Sequence, residues 1–409
     1  MSTVKIRPSV LTGRVLVPPS KSAAHRAVIC SALAGTELAL SQAEPLSDDI
    51  LVTSRAMKTI QAHTGNSGLR LDCGESGSTL RFLIPVTAAL GMRAEFTGHG
   101  RLPERPIGVY LDCLPRHGVT CETKGGLPLT VSGQLTSGEF ILPGNVSSQF
   151  ITGLLLALPL LKENSDLVLS ASLESAGYVD MTVDTQQSFG VVVEKTEYGW
   201  HIPGSQTYRS GNYTVERDWS QAAFFLAAGA LGGCVELEGL NPGSCQGDRE
   251  AERLFRAFGA KAEWKQSILR VSPDRLTGLE IDAAQIPDLV PILAATAALC
   301  NGKTRIFNAQ RLRIKESDRL AAIADGLNRL GGRVAQTEDG LLIDGVPGLH
   351  GGTVNGCNDH RIVMALAIAA LRADGEVLIT DAQSIRKSYP TFFKDYNTLG
   401  GNANVVDLG

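Results

Sequence analysis

The chain of 409 residues lacks long hydrophobic runs and paired cysteine motifs. No apolar run, residues 154–161 included, approaches the ~18–20 apolar residues that a helix needs to span a bilayer. The eight cysteines are scattered without a Cys-x-x-Cys motif, and no two histidines lie four residues apart, so neither a disulfide framework nor a zinc site is indicated. Residues 1–7 lack the apolar stretch of a signal peptide. We therefore expect a soluble protein of the reducing cytoplasm.

The chain also lacks a large net charge of either sign. The formal net charge is −4 at pH 7, which argues against a general nucleic-acid-binding surface. Hydrophobic residues make up 43% of the chain, as in a globular protein, and the length favours two domains over a single core. If the ligand is anionic, its cationic partners must be concentrated locally.

What the sequence does contain is one unit repeated six times. Each repeat opens with a polar signal before an Ala/Leu-rich helix, and successive openings are spaced by 56, 71, 71, 69 and 71 residues. The openings are Ser20-Lys21-Ser22, Ser76-Gly77-Ser78, Ser147-Ser148-Gln149, Asp218-Trp219-Ser220, Pro287-Asp288-Leu289 and Asn358-Asp359-His360. The second helices are predicted to end at Gly65, Gly118, Gly190, Gly259, Gly331 and Gly400, since a left-handed cap favours glycine. A near-constant period predicts copies of one supersecondary unit.

The repeats predict the domain boundaries. Repeats one to three form an N-terminal domain over 18–215, and repeats four to six lie within 216–409. The segment 4–17 alternates like a strand and has no repeat of its own, so we expect residues 1–17 to join 216–409 in the C-terminal domain. The chain then crosses between domains twice, near 17–19 and 213–218. Two crossings form a hinge, which suggests closure over a substrate.

The two helices of each repeat differ in character, and this predicts the fold class. The first is apolar on all sides, as in 224–228, and should be buried, whereas the second, as in 251–258, is polar on one face. Buried helices surrounded by sheets and outer helices predict an α/β (α+β) fold.

Several openings combine backbone N–H groups with a nearby cation, which is the composition of an anion site. Lys21 and Arg26 bracket the first turn of an apolar helix, where burial is costly unless an anion is bound. Gly77 lies in a Gly/Ser turn that permits close approach of a small anion but lacks the Gly-Lys-Ser/Thr ending of a nucleotide P-loop. Arg105 is predicted to precede a helix that starts at Pro106. The alternative is that the Ser, Asp and Asn residues of the openings are simply N-caps.

The second half adds carboxylates to this pattern. Asp288 opens an apolar helix, either as an N-cap or as a general base whose pKa is tuned by burial. Lys315 and Arg319 are expected one helical turn apart on one helix face, and Glu316 is either a salt-bridge partner or a proton carrier. Arg361 precedes an apolar helix, which favours an anion site.

These motifs, taken together, resemble the 5-enolpyruvylshikimate-3-phosphate synthase family. The resemblance rests on Pro-Ser-Lys-Ser…Arg, Ser-Ser-Gln, Ile-Pro-Asp, Lys-Glu-Ser-Asp-Arg and Asn-Asp-His-Arg, in this order, and it covers essentially the whole chain. It implies a two-domain inside-out α/β barrel of six βαβαββ repeats, three per domain, that closes over a shared cleft and can work as a monomer. It also implies that the enolpyruvyl group of phosphoenolpyruvate passes to the 5-hydroxyl of shikimate 3-phosphate by addition and elimination of phosphate. The family implies no metal and no organic cofactor, no membrane and no nucleic acid.

The resemblance also assigns roles to individual residues. The implied contacts of shikimate 3-phosphate are Lys21, Ser22, Arg26, Ser147, Ser148, Gln149, Ser175, Tyr178, Asp288, Arg311 and Lys315. The implied contacts of phosphoenolpyruvate are Lys21, Gly77, Arg105, Gln149, Arg319, Arg361 and Lys387. Asp288 resembles the base that takes the 5-hydroxyl proton, and Glu316 resembles a proton carrier at the methylene carbon. Lys21 and Lys315 would stabilise developing charge and assist proton transfer.

Three positions depart from the usual family pattern. Glu75 stands where many members have Asn, so its carboxylate either points away from phosphoenolpyruvate or pairs with a nearby arginine. Ala176 and Gly177 replace Lys-Pro between the two residues assigned to shikimate 3-phosphate. Arg311 replaces Asn and adds a cation near the substrate phosphate.

Two alternatives belong to different functional classes. One is the related enolpyruvyl transferase acting on UDP-N-acetylglucosamine, but that family carries a cysteine on a mobile loop and residues 98–105 contain none. The other is a non-catalytic anion-binding protein, which we would expect to have lost Asp288, Glu316 or Lys21. All three residues are present.

Overall fold

A computed structural model of the protein describes residues 2–38, 45–64 and 68–407. Its α-helices are α1 (Lys21–Leu33), α2 (Asp48–Ala62), α3 (Gly77–Ala89), α4 (Gly108–Cys113), α5 (Ser148–Ala157), α6 (Ala176–Ser188), α7 (Trp219–Ala230), α8 (Glu250–Phe258), α9 (Val290–Ala297), α10 (Arg319–Arg329), α11 (His360–Ala369) and α12 (Phe392–Thr398). Its strands are β1 (Ser2–Arg7), β2 (Thr12–Leu16), β3 (Leu69–Asp72), β4 (Ala94–Thr97), β5 (Val119–Glu122), β6 (Leu129–Gly133), β7 (Glu139–Leu142), β8 (Ser165–Leu169), β9 (Glu194–Lys195), β10 (Gly199–Ile202), β11 (Cys234–Glu238), β12 (Lys261–Lys265), β13 (Ile268–Ser272), β14 (Glu280–Asp282), β15 (Lys303–Phe307), β16 (Arg333–Gln336), β17 (Leu341–Asp344), β18 (Gly352–Val354), β19 (Val377–Ile379) and β20 (Asn402–Asp407). Helices and strands are interspersed along the chain, as in an α/β (α+β) fold. No helix in the described ranges is both long and apolar enough to cross a membrane.

The chain divides into two compact units. The N-terminal unit comprises Lys21–Gln42 and Asp48–Val215, and the C-terminal unit comprises Met1–Ser20, Ala43–Ser47 and Glu216–Gly409. Each unit has its own hydrophobic core, built from residues between Ala27 and Tyr208 in the first and between Val4 and Leu399 in the second. Burial of one large apolar side chain contributes ~1.5–3 kcal/mol to stability, so each core can stabilise its own unit.

The sheets repeat one pattern of strand pairing. The N-terminal unit contains the sheets β3-β4-β6-β5 and β7-β8-β10-β9, and the C-terminal unit contains β2-β11-β13-β12, β14-β15-β17-β16 and β18-β19-β1-β20. In each sheet the first two strands named here are parallel and the other two pairings are antiparallel. The repeated unit that the sequence predicts is therefore present in the backbone.

The initial segment completes two sheets of the C-terminal unit. β1 lies between β19 and β20 and is antiparallel to both. β2 pairs in parallel with β11 and takes the place that β14 and β18 hold in the next two sheets. The segment thus supplies one strand each to the fourth and sixth repeats, which explains why it has no repeat of its own.

Helix ends follow the sequence signals. Ser76, Ser147, Asp218 and Asp359 are N-caps whose side chains accept backbone N–H groups at the starts of α3, α5, α7 and α11. Five of the predicted terminal glycines have positive φ angles: Gly118, Gly190, Gly259, Gly331 and Gly400. The sixth, Gly65, lies outside the described residues. The polar openings and glycine ends are confirmed at these positions.

Burial separates the two helices of a repeat as predicted. All twelve residues of α7 and all ten of α11 are buried, whereas α8 buries four of its nine. One prediction about a helix start is wrong, because α4 begins at Gly108 with Ile107 as its N-cap, and not at Pro106. Arg105 instead follows a 3₁₀ turn, Leu102–Glu104, in an extended conformation.

Candidate active site

In the N-terminal unit, Lys21 begins α1 and faces a carboxylate. Its ammonium nitrogen lies 2.9 Å from Oδ2 of Asp49, which lies in the first turn of α2, and both side chains are mostly buried. The ion pair holds the long lysine side chain in one orientation. It also offsets the free-energy cost of burying the ammonium group without a partner. Asp49 was missed by sequence reasoning, because an acidic residue in the first turn of a helix is expected from the helix dipole alone.

Arg26 is buried and connects three helices. Its Nε donates to Oγ1 of Thr182 at 2.7 Å, and its Nη2 donates to the carbonyl oxygen of Tyr178 at 2.8 Å. Nη1 donates to the carbonyl of Ser22 at 2.6 Å, and Nη2 lies 3.3 Å from Oγ1 of Thr152. These acceptors lie on α1, α5 and α6, so Arg26 brings the candidate residues Ser22 and Tyr178 together.

A second cluster forms where α3 and α5 begin. Nη1 of Arg81 donates to Oε1 of Gln149 at 2.6 Å, and Nε2 of Gln149 donates to Oγ of Ser78 at 2.9 Å. The guanidinium of Arg105 lies directly over Gly77, since a Cβ added there would be 2.7 Å from Cζ and Nη1 of Arg105. Gly77 and Gln149, both candidates from the sequence, therefore lie among buried arginines. The fold has room for this guanidinium because position 77 has no side chain.

The serines of this unit occupy helix starts. Ser147 caps α5 by accepting the backbone N–H of Gln149 at 3.3 Å, and Ser148 is the first residue of that helix. Ser175 is buried immediately before α6 with φ 58°, a left-handed conformation that a serine adopts at an energetic cost. Its carbonyl accepts the backbone N–H of Tyr178 at 3.1 Å.

A buried chain of hydrogen bonds supports the start of α3. Nδ1 of His25 lies 2.8 Å from Oγ1 of Thr53, which lies 2.6 Å from Oγ1 of Thr79, which in turn donates to Oγ of Ser76 at 2.8 Å. Burial, followed by the charges of Lys21 and Arg26, holds the pKa of His25 well below its usual range. The imidazole is therefore neutral near pH 7 and acts here as a structural group.

In the C-terminal unit, three cations surround Asp288. Its Oδ1 lies 3.0 Å from Nη1 of Arg319 and 3.6 Å from Nζ of Lys315, and its Oδ2 lies 3.0 Å from Nη2 of Arg361. Burial and Glu316 would raise the pKa of Asp288, but Arg361, Lys315 and Arg319 outweigh them and hold it well below its usual range. The carboxylate is ionised. Since the N-cap of α9 is Leu289, Asp288 is not the cap that one interpretation of the sequence proposed.

Arg319 is the centre of this ion cluster. It is almost fully buried and contacts Oε2 of Glu316 at 2.8 Å in addition to Asp288. Its Nε donates to Oδ2 of Asp359 at 2.8 Å, and Oγ of Ser317 donates to the same oxygen at 2.9 Å. Charged groups of this number are stable inside a protein only when they are paired in this way.

The expected placement of Lys315 and Arg319 on one helix face is wrong. Lys315 follows a 3₁₀ turn, Gln310–Ile314, and α10 begins only at Arg319, with Asp318 as its N-cap. The chain bends between the two residues, and both cations nevertheless reach the same oxygen of Asp288. Helical spacing is therefore not what brings them together.

The remaining candidates of this unit are also buried. Nη2 of Arg311 donates to the carbonyl of Ala284 at 2.7 Å, and Nζ of Lys387 donates to the carbonyl of Asn358 at 2.6 Å. Asn358 has φ 48°, a left-handed conformation just before α11. Asparagine adopts this conformation more readily than most other residues.

Asp359 is a residue whose full role sequence reasoning missed. Its carboxylate is fully buried, caps α11 by accepting the backbone N–H of Arg361 at 3.0 Å, and also binds Arg319. The N-cap was readable from the sequence, but the ion pair joins residues 40 positions apart, and no local signal indicates it. Similarly, Oγ of Ser220 accepts from Nη1 of Arg361 at 2.6 Å across 141 positions.

Comparison with known proteins identifies the family. A family model of EPSP synthase (3-phosphoshikimate 1-carboxyvinyltransferase) matches residues 6–396. The chain belongs to this family. It is 43% identical over 426 residues to the 3-phosphoshikimate 1-carboxyvinyltransferase of Clostridium kluyveri, with all of both chains covered.

Solved structures agree with the family assignment. The EPSP synthase of Acinetobacter baumannii is 25% identical and superposes with a TM-score of 0.80 over the whole of both chains, so the fold is the two-domain α/β fold of the family. The enolpyruvyl transferase NikO of Streptomyces tendae also superposes, with a TM-score of 0.78 over 99% of both chains, but at 20% identity this likeness concerns the fold alone. The fold is shared by enolpyruvyl transferases with different names, and the choice of acceptor must come from the site residues.

Proposed function

We propose that the chain is a 3-phosphoshikimate 1-carboxyvinyltransferase, which transfers the enolpyruvyl group of phosphoenolpyruvate to the 5-hydroxyl of shikimate 3-phosphate. The observation that supports this proposal most directly is a carboxylate, Asp288, placed among three cations beside a second carboxylate, Glu316. Addition followed by elimination needs both a proton acceptor and a proton donor, together with positive charge for two anionic substrates.

Asp288 is proposed as the base. In the addition step the 5-hydroxyl oxygen bonds to C2 of phosphoenolpyruvate, its proton passes to Asp288, and C3 gains a proton. In the free protein, Lys315, Arg319 and Arg361 stabilise the ionised carboxylate and make it a weak base. An anion bound to the same cations would offset their effect, so that the pKa of Asp288 rises when the substrate is bound.

Glu316 and Lys315 are proposed for the second proton transfer. Glu316 shares Arg319 with Asp288, and Lys315 lies 3.6 Å from the Asp288 carboxylate, so a proton donor and a proton acceptor lie within one cluster. In the elimination step C3 loses a proton, the C2–O bond to phosphate breaks, and the double bond of the enolpyruvyl ether forms. Phosphate is the leaving group and comes from the substrate, so the proposal calls for no cofactor.

The other candidates are proposed as binding residues. Arg319, Arg361 and Lys387 of the C-terminal unit, with Lys21, Gly77, Arg105 and Gln149 of the N-terminal unit, are assigned to phosphoenolpyruvate. Lys21, Ser22, Arg26, Ser147, Ser148, Gln149, Ser175 and Tyr178, with Asp288, Arg311 and Lys315, are assigned to shikimate 3-phosphate. Arginine and lysine at buried positions are the residue types that bind carboxylate and phosphate groups most strongly.

The test is phosphate release from phosphoenolpyruvate, measured with and without shikimate 3-phosphate. We expect release to require both substrates and no added metal. Asp288→Ala should lower kcat by about two to four orders of magnitude, the contribution typical of a positioned general base. Asp325→Asn is the matched control, because that carboxylate lies on the exposed side of α10 and pairs only at the surface with Arg329.

Two results would contradict the proposal. Release with UDP-N-acetylglucosamine in place of shikimate 3-phosphate would assign the chain to the related transferase reaction. Binding of both substrates without release of phosphate would indicate a non-catalytic protein. Unchanged release in Asp288→Ala would remove that residue from the chemistry while leaving the reaction itself in place.

We also propose a cytoplasmic, monomeric enzyme. None of the eight cysteines, all of which lie in the described ranges, forms a disulfide. Burial raises the pKa of the Cys30 and Cys73 thiols, so these two groups are protonated and unreactive. Cysteines that form no disulfide suit a reducing compartment. Light scattering of the purified protein at micromolar concentration would test the monomer, and a mass of twice the 43.4 kDa of the chain would contradict it.

A further inference from the structure

Glu75, the acidic residue at the start of α3, lies directly against Gly100. A Cβ atom added at Gly100 would lie 2.4 Å from Oε2 of Glu75, 2.6 Å from its Cδ and 3.0 Å from its Cγ. The half-buried Glu75 side chain therefore fills the space that any other residue at position 100 would need. Gly100 also has φ +60°, a conformation that glycine adopts readily.

Gly100 belongs to the loop 98–105, which joins the turn 73–77 at several points. The backbone N–H of His99 donates to the carbonyl of Gly74 at 2.9 Å. At the far end of the loop, the Arg105 guanidinium packs on Gly77. Glu75 lies between these two contacts along the turn, and its side chain is a third connection between turn and loop.

We propose that Glu75 is a positioning residue: by packing on Gly100 it fixes the path of the loop 98–105 and thereby holds the Arg105 guanidinium over Gly77. This inference rests on the proposed function, in which Arg105 and Gly77 contact phosphoenolpyruvate. It also gives the acid beside the proposed anion site a role, since the Glu75 side chain is packed against Gly100 of the loop.

The proposal predicts the sign of a substitution. If Glu75 only repelled phosphoenolpyruvate, its removal would strengthen binding and lower the KM for this substrate. If Glu75 positions the loop, its removal lets the loop relax and weakens binding. A misplacement of about 1 Å can cost about 100-fold, so we expect a smaller shift of the Arg105 guanidinium to cost about tenfold in binding.

The experiment measures the KM of each substrate and kcat by phosphate release for Glu75→Ala, Glu75→Gln and the wild type. We expect Glu75→Ala to raise the KM for phosphoenolpyruvate about five- to tenfold, while the KM for shikimate 3-phosphate changes less than about twofold. Glu75→Gln has nearly the same shape and should restore the wild-type value. Glu104→Ala is the control, because Glu104 is an exposed acid of the same loop.

A second variant tests the contact itself. Gly100→Ala places a methyl group inside the Glu75 side chain and should also raise the KM for phosphoenolpyruvate. In the Glu75→Ala background the same change should cost less, because the clash with the Glu75 side chain is gone and only the strain of an alanine at φ +60° remains; direct contacts show this non-additivity. Thermal unfolding of each variant separates loss of the fold from loss of position.

Three results would overturn the proposal: a lower or unchanged KM for phosphoenolpyruvate in Glu75→Ala, equal losses in Glu75→Ala and Glu75→Gln, or additive effects of the two substitutions. Absence of phosphate release from the wild type would instead contradict the proposed function, and dissociation constants for phosphoenolpyruvate measured by calorimetry on the same variants would then test the positioning role alone.

Discussion

At the scale of single residues, the Asp288 carboxylate combines two properties that oppose each other in a base. It is mostly buried, which favours the protonated form, and it faces three cations, which favour the ionised form more strongly. These cations are paired with the carboxylates of Asp288, Glu316 and Asp359, and under the proposed function they also bind the anionic substrates. Stability and basicity of this carboxylate are therefore both set by what occupies the site.

The depressed pKa of Asp288 predicts how stability depends on pH. Asp288→Asn removes the negative charge that the buried Arg319 and Arg361 and the half-buried Lys315 share. We therefore expect the free energy of unfolding at pH 7 to fall by about 2–4 kcal/mol. The pKa of Asp288 is lower in the folded protein than in the unfolded chain, where it is ~3.9. The stabilisation by the carboxylate is therefore complete above pH ~3.9 and is lost as the pH falls through the lower pKa of the folded protein. Urea unfolding of both proteins between pH 7 and pH 3 measures this difference. A difference that grew as the pH fell would contradict the assignment.

Gly77 gives a second prediction at this scale. A methyl group in Gly77→Ala would lie 2.7 Å from the Arg105 guanidinium, which is the mobile end of a long side chain and can move aside. We expect the fold to persist and the KM for phosphoenolpyruvate to rise about tenfold, as Arg105 leaves its position. Gly108→Ala is the matched control, since a Cβ there meets nothing within 4 Å. Equal kinetics in both variants would show that Arg105 does not depend on Gly77.

The sequence predicts these residues unevenly. Lys21, Asp288 and Arg361 were identifiable because each stands in a polar opening before an apolar helix, which is a local pattern. Asp49 and Asp359 were not identified as ion-pair partners, because their partners lie 28 and 40 positions away and only the fold brings them together. Partner identity is a tertiary property, and a single sequence carries no direct signal for it.

At the scale of helices and strands, one opening contains an N-cap but no residue that is assigned to a substrate. Asp218 caps α7 by accepting the backbone N–H of Gln221 at 3.0 Å, and none of its neighbours in the opening is assigned to a substrate. The two interpretations of the openings, N-capping and anion binding, therefore need not both apply to every repeat. The local signal predicts a helix start in every case and does not by itself separate the two.

Asp218 therefore predicts a purely structural effect. In Asp218→Ala the start of a fully buried helix loses a hydrogen-bond acceptor, and the free energy of unfolding should fall by about 1–2 kcal/mol. Asp218→Asn keeps an acceptor and should lose less. Chemical denaturation measures both values, and KM for either substrate should stay within about twofold of the wild type. A selective rise in one KM would assign Asp218 to the site.

Strand pairing was predictable in part. The alternation of residues 4–17 predicted a strand and the missing repeat predicted a partner in the second half of the chain, but not which sheets it completes. β1 pairs Val4 with Ile379 and Val405, which lie 375 and 401 positions away in the sequence. Such pairing depends on the shape of sheets that are complete only after folding. The period of the repeats was enough to predict the repeated unit. It did not predict that β1 and β2 complete sheets of the sixth and fourth repeats.

At the scale of the whole molecule, the first and last strands lie side by side in one sheet. β1 and β20 pair over six residues, so the C-terminal unit contains both ends of the described chain. A unit of this kind cannot be completed until the first residues have joined the last. We expect its stability to depend on a few side chains of β1.

Val4 is the side chain that tests this dependence. It is fully buried in the core of the C-terminal unit, so Val4→Asp places an unpaired charge there and should lower the free energy of unfolding of that unit by about 4 kcal/mol or more. Lys5→Asp is the matched control, because the next side chain along the strand points to the opposite, exposed face and pairs with Glu376 at the surface. Its cost should be below about 1 kcal/mol, even with a like charge opposite.

The measurement can be restricted to one unit. Of the three tryptophans, Trp219 and Trp264 belong to the C-terminal unit and Trp200 to the other, so fluorescence in a Trp200→Phe background follows the C-terminal unit. Loss of that signal in Val4→Asp but not in Lys5→Asp would show that the initial strand is part of the core. Equal stability of the two variants would mean that β1 is peripheral to the core. The conclusion that the first residues complete the sixth repeat would then be wrong.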